Sequence, residues 1–377
     1  MGRRIVIAAV LAGLAAPPAH AAEWLAGDLH VHTCFSHDAW CPAGDDNTGP
    51  DEFYTLSLGV EERFRQAALQ GLDYLAISDH NDVRSSAHSG FGAGGVIGVP
   101  AYENSLQGHA QMLGAQRIYD TGADTAAEVN AAAEELRADG GALQVNHPGN
   151  QTEQRFDSCQ DTAVLDWEYG YDVQPDVIEL VNPTSPVQPA ERWWECWLER
   201  GARVGATGGS DSHYAWTAPV QGPGQPTTWV LADESSQAGV LTAIRAGRTS
   251  VSRRTPLLGG APLLLEADAD GDGSFESGIG DTVPPDAAVR VRAGGPLQAG
   301  FVRVRGNGRT LVDDALLLPG GAVELRAPQE PGWLRASLHV LPGTAQLDCD
   351  PGLHQAASLC PYDFLLEGLT SPLYVAP

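Results

Sequence analysis

The sequence predicts an α/β fold, with parallel strands in a sheet or barrel, followed by a small antiparallel β domain. Three observations predict it. Helix-like and strand-like segments alternate up to about residue 255. Beyond that point period-two alternation replaces the helical pattern. Polar stretches rich in His and Asp sit where strands should end, which is where chemistry collects in parallel α/β folds.

The elements follow in order. Arg3 and Arg4, an apolar run over residues 5–16 and Ala19-His20-Ala21 have the three parts of an export signal, so residues 1–21 are expected to be a signal peptide. The first strand opens the mature chain and carries Asp28-Leu29-His30-Val31-His32. Residues 60–70 are helical in pattern and stop at Gly71; residues 73–78 form an apolar strand leading into Asp79-His80. Thr125 and Glu128 form a capping box for a helix to about residue 138. Gly140-Gly141 ends it, and residues 142–145 are a strand leading into His147. Residues 189–200 are helical, with Gly201 as the stop. A strand over 203–207 delivers Gly208-Gly209-Ser210-Asp211-Ser212-His213. A helix over 237–246 and a strand over 249–252 complete this region. Residues 289–292, 301–305 and 322–326 alternate in period two and read as strands with one packed and one wet face. The expected division is therefore 1–21, 22–255 and 256–377. Loops 54–59, 91–98 and 219–226 carry Gly or Pro and are expected to line or cover the site.

The formal net charge is -26, with 22 basic residues, all arginine, against 48 acidic ones. That balance argues against nucleic acid or anionic membrane as a partner. No stretch after the leader is long and apolar enough to span a bilayer. The expectation is a periplasmic or secreted protein acting on a small-molecule or otherwise soluble substrate. Six cysteines in an exported chain suit disulfides, and nearest neighbours are the simplest pairing: 34 with 41, 159 with 196, 349 with 360. Cys34 lies within the first motif, so a role as metal ligand is the alternative.

Imidazoles and carboxylates are costly to gather in one pocket unless cations are bound there. His30 and His32 project to one face of a strand and suit one cation. His37 and Asp38 follow as alternatives for one inward-facing ligand. His80 is a ligand candidate with Asp79 in support, and Asp28 is a candidate partner for an imidazole. Glu103, after Val99-Pro100-Ala101-Tyr102, is the candidate bridging carboxylate, because its two oxygens suit two cations. His109, His147, Asp211 and His213 complete the set. His88, His339 and His354 fall outside the strand ends and are expected at the surface.

These residues resemble the PHP (polymerase and histidinol phosphatase) superfamily. The stretches DLHVHTCFS, YLAISDHND, VPAYENS, LQVNHPGN and GGSDSH are similar to its motifs in its order. AIRAGRTSVS at 243–252 and LTSPLYV at 369–375 are similar to later landmarks of its carbaryl-hydrolase-like (CehA/McbA-like) branch. The resemblance implies a distorted seven-stranded (β/α) barrel with up to three divalent metals at its strand ends. It implies one metal at His30, His32, Glu103 and Asp211, and a second at Glu103, His109 and His147. It implies a third at His80, His213 and either His37 or Asp38.

Such a site activates water, so no Ser, Cys or Lys nucleophile is needed. The resemblance points to a phosphoesterase first. Carboxyl ester, carbamate or amide cleavage is second, and a metal-stabilised binding module is the reading of another class. Zinc, manganese and iron all suit His plus carboxylate. Glu103, Asp79 and Arg248 are the catalytic candidates, with Asp79 or the spare member of the His37/Asp38 pair as proton donor. Arg84 or Arg248 would hold an anionic group. Asn81, Asn104, Asn146 and Asn182 are expected to touch substrate or ordered water. Asp268, Asp270 and Asp272 form a separate calcium-loop-like run that lacks the usual twelfth-position glutamate.

Overall fold

The computed structural model describes residues 22–40, 55–105, 107–119, 125–149, 158–160, 162, 166–213, 222–295, 298–343 and 365–377. The leader, Cys41, Cys349, Cys360 and His354 lie outside them. In chain order the first part supplies β1 (Glu23–Val31), α1 (Val60–Leu69), β2 (Tyr74–Ile77), β3 (Ile97–Pro100), β4 (Glu103–Ser105), β5 (His109–Leu113) and α2 (Ala126–Ala138). It continues with β6 (Ala142–Val145), β7 (Val177–Val181), α3 (Val187–Glu199), β8 (Gly205–Gly208), β9 (Thr227–Ala232), α4 (Gln237–Arg245) and β10 (Thr249–Ser252). The second part supplies β11 (Leu263–Asp268), β12 (Ala288–Ala293), β13 (Gly300–Gly306), β14 (Arg309–Leu317), β15 (Ala322–Arg326), β16 (Gly332–His339), β17 (Leu366–Thr370) and β18 (Leu373–Val375).

Local sequence explains the helices. In α1, Val60, Arg63, Phe64 and Ala67 are the buried positions, the spacing of one helical face, and Glu61 and Glu62 occupy the positive N-terminal turn. The capping box on α2 forms: Thr125 Oγ1 accepts from Glu128 N, and Glu128 Oε2 accepts from Thr125 N at 3.1 Å. In α3, Trp193, Trp194 and Trp197 are all buried, and Cys196 forms a disulfide with Cys159.

Among the described residues the strands do not close into a barrel. They form two main sheets. In one, β1 runs parallel to β2 and β2 to β3, while on its other side β1 is antiparallel to β9. In the other the order is β8-β7-β6-β5-β4. There β6, β7 and β8 are parallel, but β4, β5 and β6 are antiparallel, because a short hairpin replaces a helical crossover. The uniform parallel order expected from the sequence therefore holds in two runs of three strands only. Among the hydrogen bonds that join the sheets, two narrow seams lie at the strand ends. At one, Asp211 N donates to His30 O (2.8 Å) and His32 N to Ser212 O (3.1 Å). At the other, Glu103 N donates to Asp79 O (3.2 Å) and Asn81 N to Glu103 O (2.8 Å). Both seams fall on the candidate motifs.

One sheet runs across residue 255. β9 pairs with β10, β10 with β17, and β17 with β16, so the C-terminal strands extend the sheet that holds β1. Beside it, β11, β12 and β15 make a four-stranded sheet with residues 277–278. His339 is fully buried, with Ser337 Oγ 2.9 Å from its Nε2, rather than at the surface. The 91–98 loop does not approach the candidate motifs. Phe91 packs on Phe64 (centroids 5.0 Å apart), and Ile97 N bonds Asp73 O where β2 and β3 begin.

α3 is fastened to the C-terminal strands by a buried ionic cluster. Glu195, 2% exposed, accepts from Arg335 at 2.5 Å and from Arg305 at 2.7 and 2.9 Å. Burial alone would raise its pKa, but Arg335 and Arg305 pull it down to about 2. The depressed value sets the sign: the stabilisation is present above pH 4.5 and fades as pH falls toward 2. Glu195→Ala removes the carboxylate that Arg305 and Arg335 share, leaving Arg335 with Glu191 at 2.7 Å. It should cost about 3–5 kcal/mol at pH 7, read as a lowered urea midpoint. An unchanged midpoint would contradict a structural role for the cluster.

Candidate metal centre

The strand ends converge on one cluster of side chains. β1 carries His30 and His32, both fully buried, and the turn after it carries Ser36 and Asp38. β2 delivers His80, β4 Glu103, β5 His109, β6 His147 and β7 Glu179, while the residues after β8 deliver Asp211 and His213. Three of the loop residues have left-handed backbones: Asn81 (φ 50°), His147 (φ 26°) and Asp211 (φ 52°). Such conformations are uncommon for non-glycine residues and mark local constraint.

Glu103 is the centre. Its Oε2 lies 3.2 Å from His30 Nε2, 3.3 Å from His32 Nε2 and 3.4 Å from His80 Nδ1. Its Oε1 lies 2.9 Å from His109 Nδ1 and 3.4 Å from His147 Nε2. The two oxygens thus face different sets of imidazoles. Asp211 Oδ1 is 3.3 Å from both His30 Nε2 and His32 Nε2. Asp38 Oδ2 is 2.9 Å from His213 Nε2 and 3.4 Å from His80 Nε2.

Three of the overlapping groups of donor atoms, each within 4.8 Å of one another, are His30, His32, Glu103 and Asp211; Glu103, His109 and His147; and His32, Asp38, His80 and His213. The donors fit divalent cations by a further test. His109 Nδ1, Asp211 Oδ1 and His213 Nε2 are buried and close to their neighbours, yet none makes a hydrogen bond. Good hydrogen-bond geometry is missing even where separations are as short as 2.9 Å, a donor set that a cation could satisfy.

Charge in the cluster is balanced by protons when cations are not. Burial opposes ionisation of Glu103, but His30, His109 and His80 hold its pKa well below the usual range. Burial likewise opposes protonation of His30, yet Glu103, Asp211 and Glu179 lift it well above the ordinary value. His109 rises to about 9 against burial through Glu103, and His213 to about 9 through Asp38 and Asp211.

Surrounding side chains set the orientations. His32 Nδ1 is 2.8 Å from Ser36 Oγ, and His80 Nδ1 is 2.5 Å from Ser105 Oγ. Asn146 Nδ2 donates to Glu103 Oε1 (2.8 Å) and to Gln111 Oε1 (2.7 Å), and Gln144 Nε2 donates to Asn146 Oδ1 (2.9 Å). Asn146 therefore braces Glu103 and is not turned toward substrate. Arg63, fully buried, spans two ligand loops: Nε donates to His32 O (2.9 Å) and Nη2 to Ser212 O (3.0 Å).

Several sequence expectations are corrected by this geometry. Asp79 does not reach His80; its carboxylate accepts from Thr33 N (2.6 Å) and Thr33 Oγ1 (2.8 Å), and burial raises its pKa to about 6. Asp28 orients no imidazole; it accepts the amides of His30, Ser210 and Gly224. Arg248 lies at the wrong end of the sheet. Its carbonyl pairs with Leu231, which faces Trp24, roughly 20 Å along β1 from His30. Arg84 is bound to Asp82 and 54% exposed. His37 is exposed, with its ring edge-on to His80, whereas Asp38 faces the cluster. Cys34 is disulfide-bonded, so it is no thiolate ligand. In the acidic turn, both oxygens of Asp268 accept backbone amides, from Gly271 and Gly273, and Asp270 and Asp272 cap their own turns.

Two residues escaped sequence reasoning. Arg63 lies within α1 and belongs to none of the strand-end motifs. Glu179, fully buried, left a signal that could have found it: a lone acid inside the apolar run Val177-Ile178-Glu179-Leu180-Val181.

No family model matches the chain, and no curated protein does. Among solved structures it is similar to a two-domain protein from Bacteroides vulgatus containing a predicted PHP-like metal-dependent phosphoesterase. That alignment has 16% identity and a TM-score of 0.45, and covers 85% of this chain and 92% of the other. It is also similar to a provisionally assigned metal-dependent phosphoesterase from Bifidobacterium adolescentis, with 15% identity and a TM-score of 0.36, covering 52% of this chain and 90% of that one.

A pH prediction follows from the raised imidazoles. His109 and His213 carry protons at pH 7 without metal and must lose them to become ligands. Uptake of Mn2+ or Zn2+ at pH 7 should release protons, and apparent affinity should fall as pH drops below about 9. Calorimetry in buffers of different ionisation enthalpy measures this. Heats independent of the buffer would contradict it.

Proposed function

We propose that this chain is an exported metal-dependent hydrolase of the PHP type, acting as a phosphoesterase through two or three divalent cations: zinc, manganese or iron. The observation that carries the reading is the division of Glu103, one oxygen toward His30, His32 and His80 and the other toward His109 and His147. A carboxylate so placed could hold two cations. Bound there, such cations supply Lewis acidity and bring the pKa of a water toward neutrality.

The chain's own groups then have separate tasks. His30, His32, Glu103 and Asp211 would hold one cation; Glu103, His109 and His147 a second; Asp38, His80 and His213 a third. His37, exposed with its ring edge-on to His80, is assigned here the task of handing a proton to a leaving alcohol. The Cys159–Cys196 disulfide supports an oxidising, periplasmic or secreted location. No helix among the described residues is long and apolar enough to cross a membrane.

One observation favours a second reading, cleavage of a carboxyl ester, carbamate or amide. The described guanidinium groups nearest the cluster are already engaged, Arg63 with carbonyl oxygens and Arg84 with Asp82. An anionic phosphate would then depend on the cations alone.

The test is a screen of aryl phosphates, phosphodiesters, carboxyl esters and carbamates with metal-loaded protein. Glu103→Gln removes one charge at constant size. It should lower turnover of any cleaved ester by on the order of a hundredfold or more and reduce bound metal per chain. Glu324→Gln, exposed in β15, serves as control. Full activity and full metal content in Glu103→Gln would sink the site assignment.

A further inference from the structure

One carboxylate lies behind the cluster rather than in it. Glu179 is centred in β7, a strand buried along its whole length, and is itself fully buried. Its Oε1 is 3.0 Å from His30 Nδ1. Its Oε2 accepts from the His147 backbone N–H at 3.0 Å and from Asn182 Nδ2 at 3.2 Å. The Asn182 amide is fixed in that sense, because its Oδ1 accepts from Thr184 N (2.9 Å) and Thr184 Oγ1 (2.7 Å). Gly209 leaves the space: a Cβ there would stand 2.3 Å from Glu179 Oε1 and 2.5 Å from His30 Cβ. The opposite nitrogen of His30, Nε2, faces Glu103 and Asp211.

We propose that Glu179 is the positioning carboxylate of the metal centre: it holds the proton on His30 Nδ1, so that Nε2 is presented bare to a cation, and with its other oxygen fixes the left-handed backbone of His147. The inference rests on the metal-centre reading above. The physical reason is a count of donors. Three N–H groups converge on two oxygens that can only accept, and a carboxylate satisfies them all. Glutamine of the same size offers one acceptor and one donor. If its amide nitrogen meets His30, the ring must give up the Nδ1 proton and keep one on Nε2, where a cation would bind. If the amide is turned round, its N–H groups oppose those of His147 and Asn182.

The same residues also admit a direct ligand role, since His30, His147 and Glu179 form a group of their own. The orientation of His30 argues against it, because the imidazole nitrogen nearest Glu179 is the one turned away from Glu103.

The experiment uses the whole chain with Zn2+ or Mn2+ alone. Affinity is measured by competition with a chelator for wild type, Glu179→Gln and Glu179→Asp. Nitrogen-15 shifts of the His30 ring are recorded in the zinc-loaded wild-type protein. The expected spectrum shows Nδ1 protonated and Nε2 bound to zinc. Glu179→Gln should keep its far-ultraviolet signal and melting point near wild type, yet bind metal on the order of 10- to 100-fold more weakly. Glu179→Asp, which keeps both acceptor oxygens, should recover part of the loss. A merely structural role would not move affinity at constant fold.

Wild-type affinity in Glu179→Gln overturns the inference. So does zinc on His30 Nδ1, or a Glu179 carboxylate bound directly to the metal; the wild-type spectrum decides this even if a variant misfolds. Failure of the wild-type chain to bind either metal overturns the metal-centre reading and this inference with it. Wild-type binding with an unaffected Glu179→Gln overturns this inference alone.

Discussion

Glu103 is 1% exposed and has nitrogens of five imidazoles within 3.4 Å. The rest of the structure depends on making that concentration of charge tolerable. Carboxylates and imidazoles in a low-dielectric cavity repel or neutralise each other unless positive charge is supplied. Protons can do so in part, in keeping with the direction in which His30, His109 and His213 are shifted by the carboxylates beside them. Divalent cations do so with less compromise, since each satisfies several donors at once. The buried donors that make no hydrogen bond argue for cations as the natural occupants.

The scaffold holds these groups by pinning loops, not by closing a barrel. The candidate motifs coincide with the seams where the two sheets touch, so the residues that hold the sheets together also aim the ligands. Arg63 clamps the His32 and Ser212 carbonyls from α1, Asp79 clamps Thr33, and Asp28 gathers three amides beneath His30. The C-terminal strands contribute from a distance. Through Glu195, Arg305 and Arg335 they fix α3, which begins just after Asn182 and Ser185 at the edge of the site. Ser185 Oγ in turn reaches the His147 carbonyl at 3.4 Å. A β region that looked separable in sequence is, in the fold, continuous with the sheet that carries β1.

Much of this was legible in the residues. Strand-end motifs named the gathered side chains because a histidine or aspartate after an apolar run has few other reasons to be there. Capping signals and glycine stops set α1, α2 and α4 to within a residue or so. What was not legible depended on partners far apart in sequence. Glu179 meets His30 across 149 positions, and Arg63 meets Ser212 across the same span. The β4–β5 hairpin was hidden because Glu103 and His109 read as ligands and not as facing strand residues. Arg248 was misplaced because a motif-like neighbourhood says nothing about which end of a strand it occupies. Asp79 was misread because a carboxylate beside a histidine in sequence projects, on an extended chain, away from it.

The central claim is that Glu103 lies between two cations. The most direct measurement is anomalous diffraction from crystals of the whole chain soaked in Mn2+. The account predicts separate anomalous peaks beside Glu103 Oε1 and Oε2, one near His109 and His147 and the other near His30, His32 and Asp211. A single peak served by one oxygen, or no peak against Glu103 in crystals that hold manganese elsewhere, would contradict it.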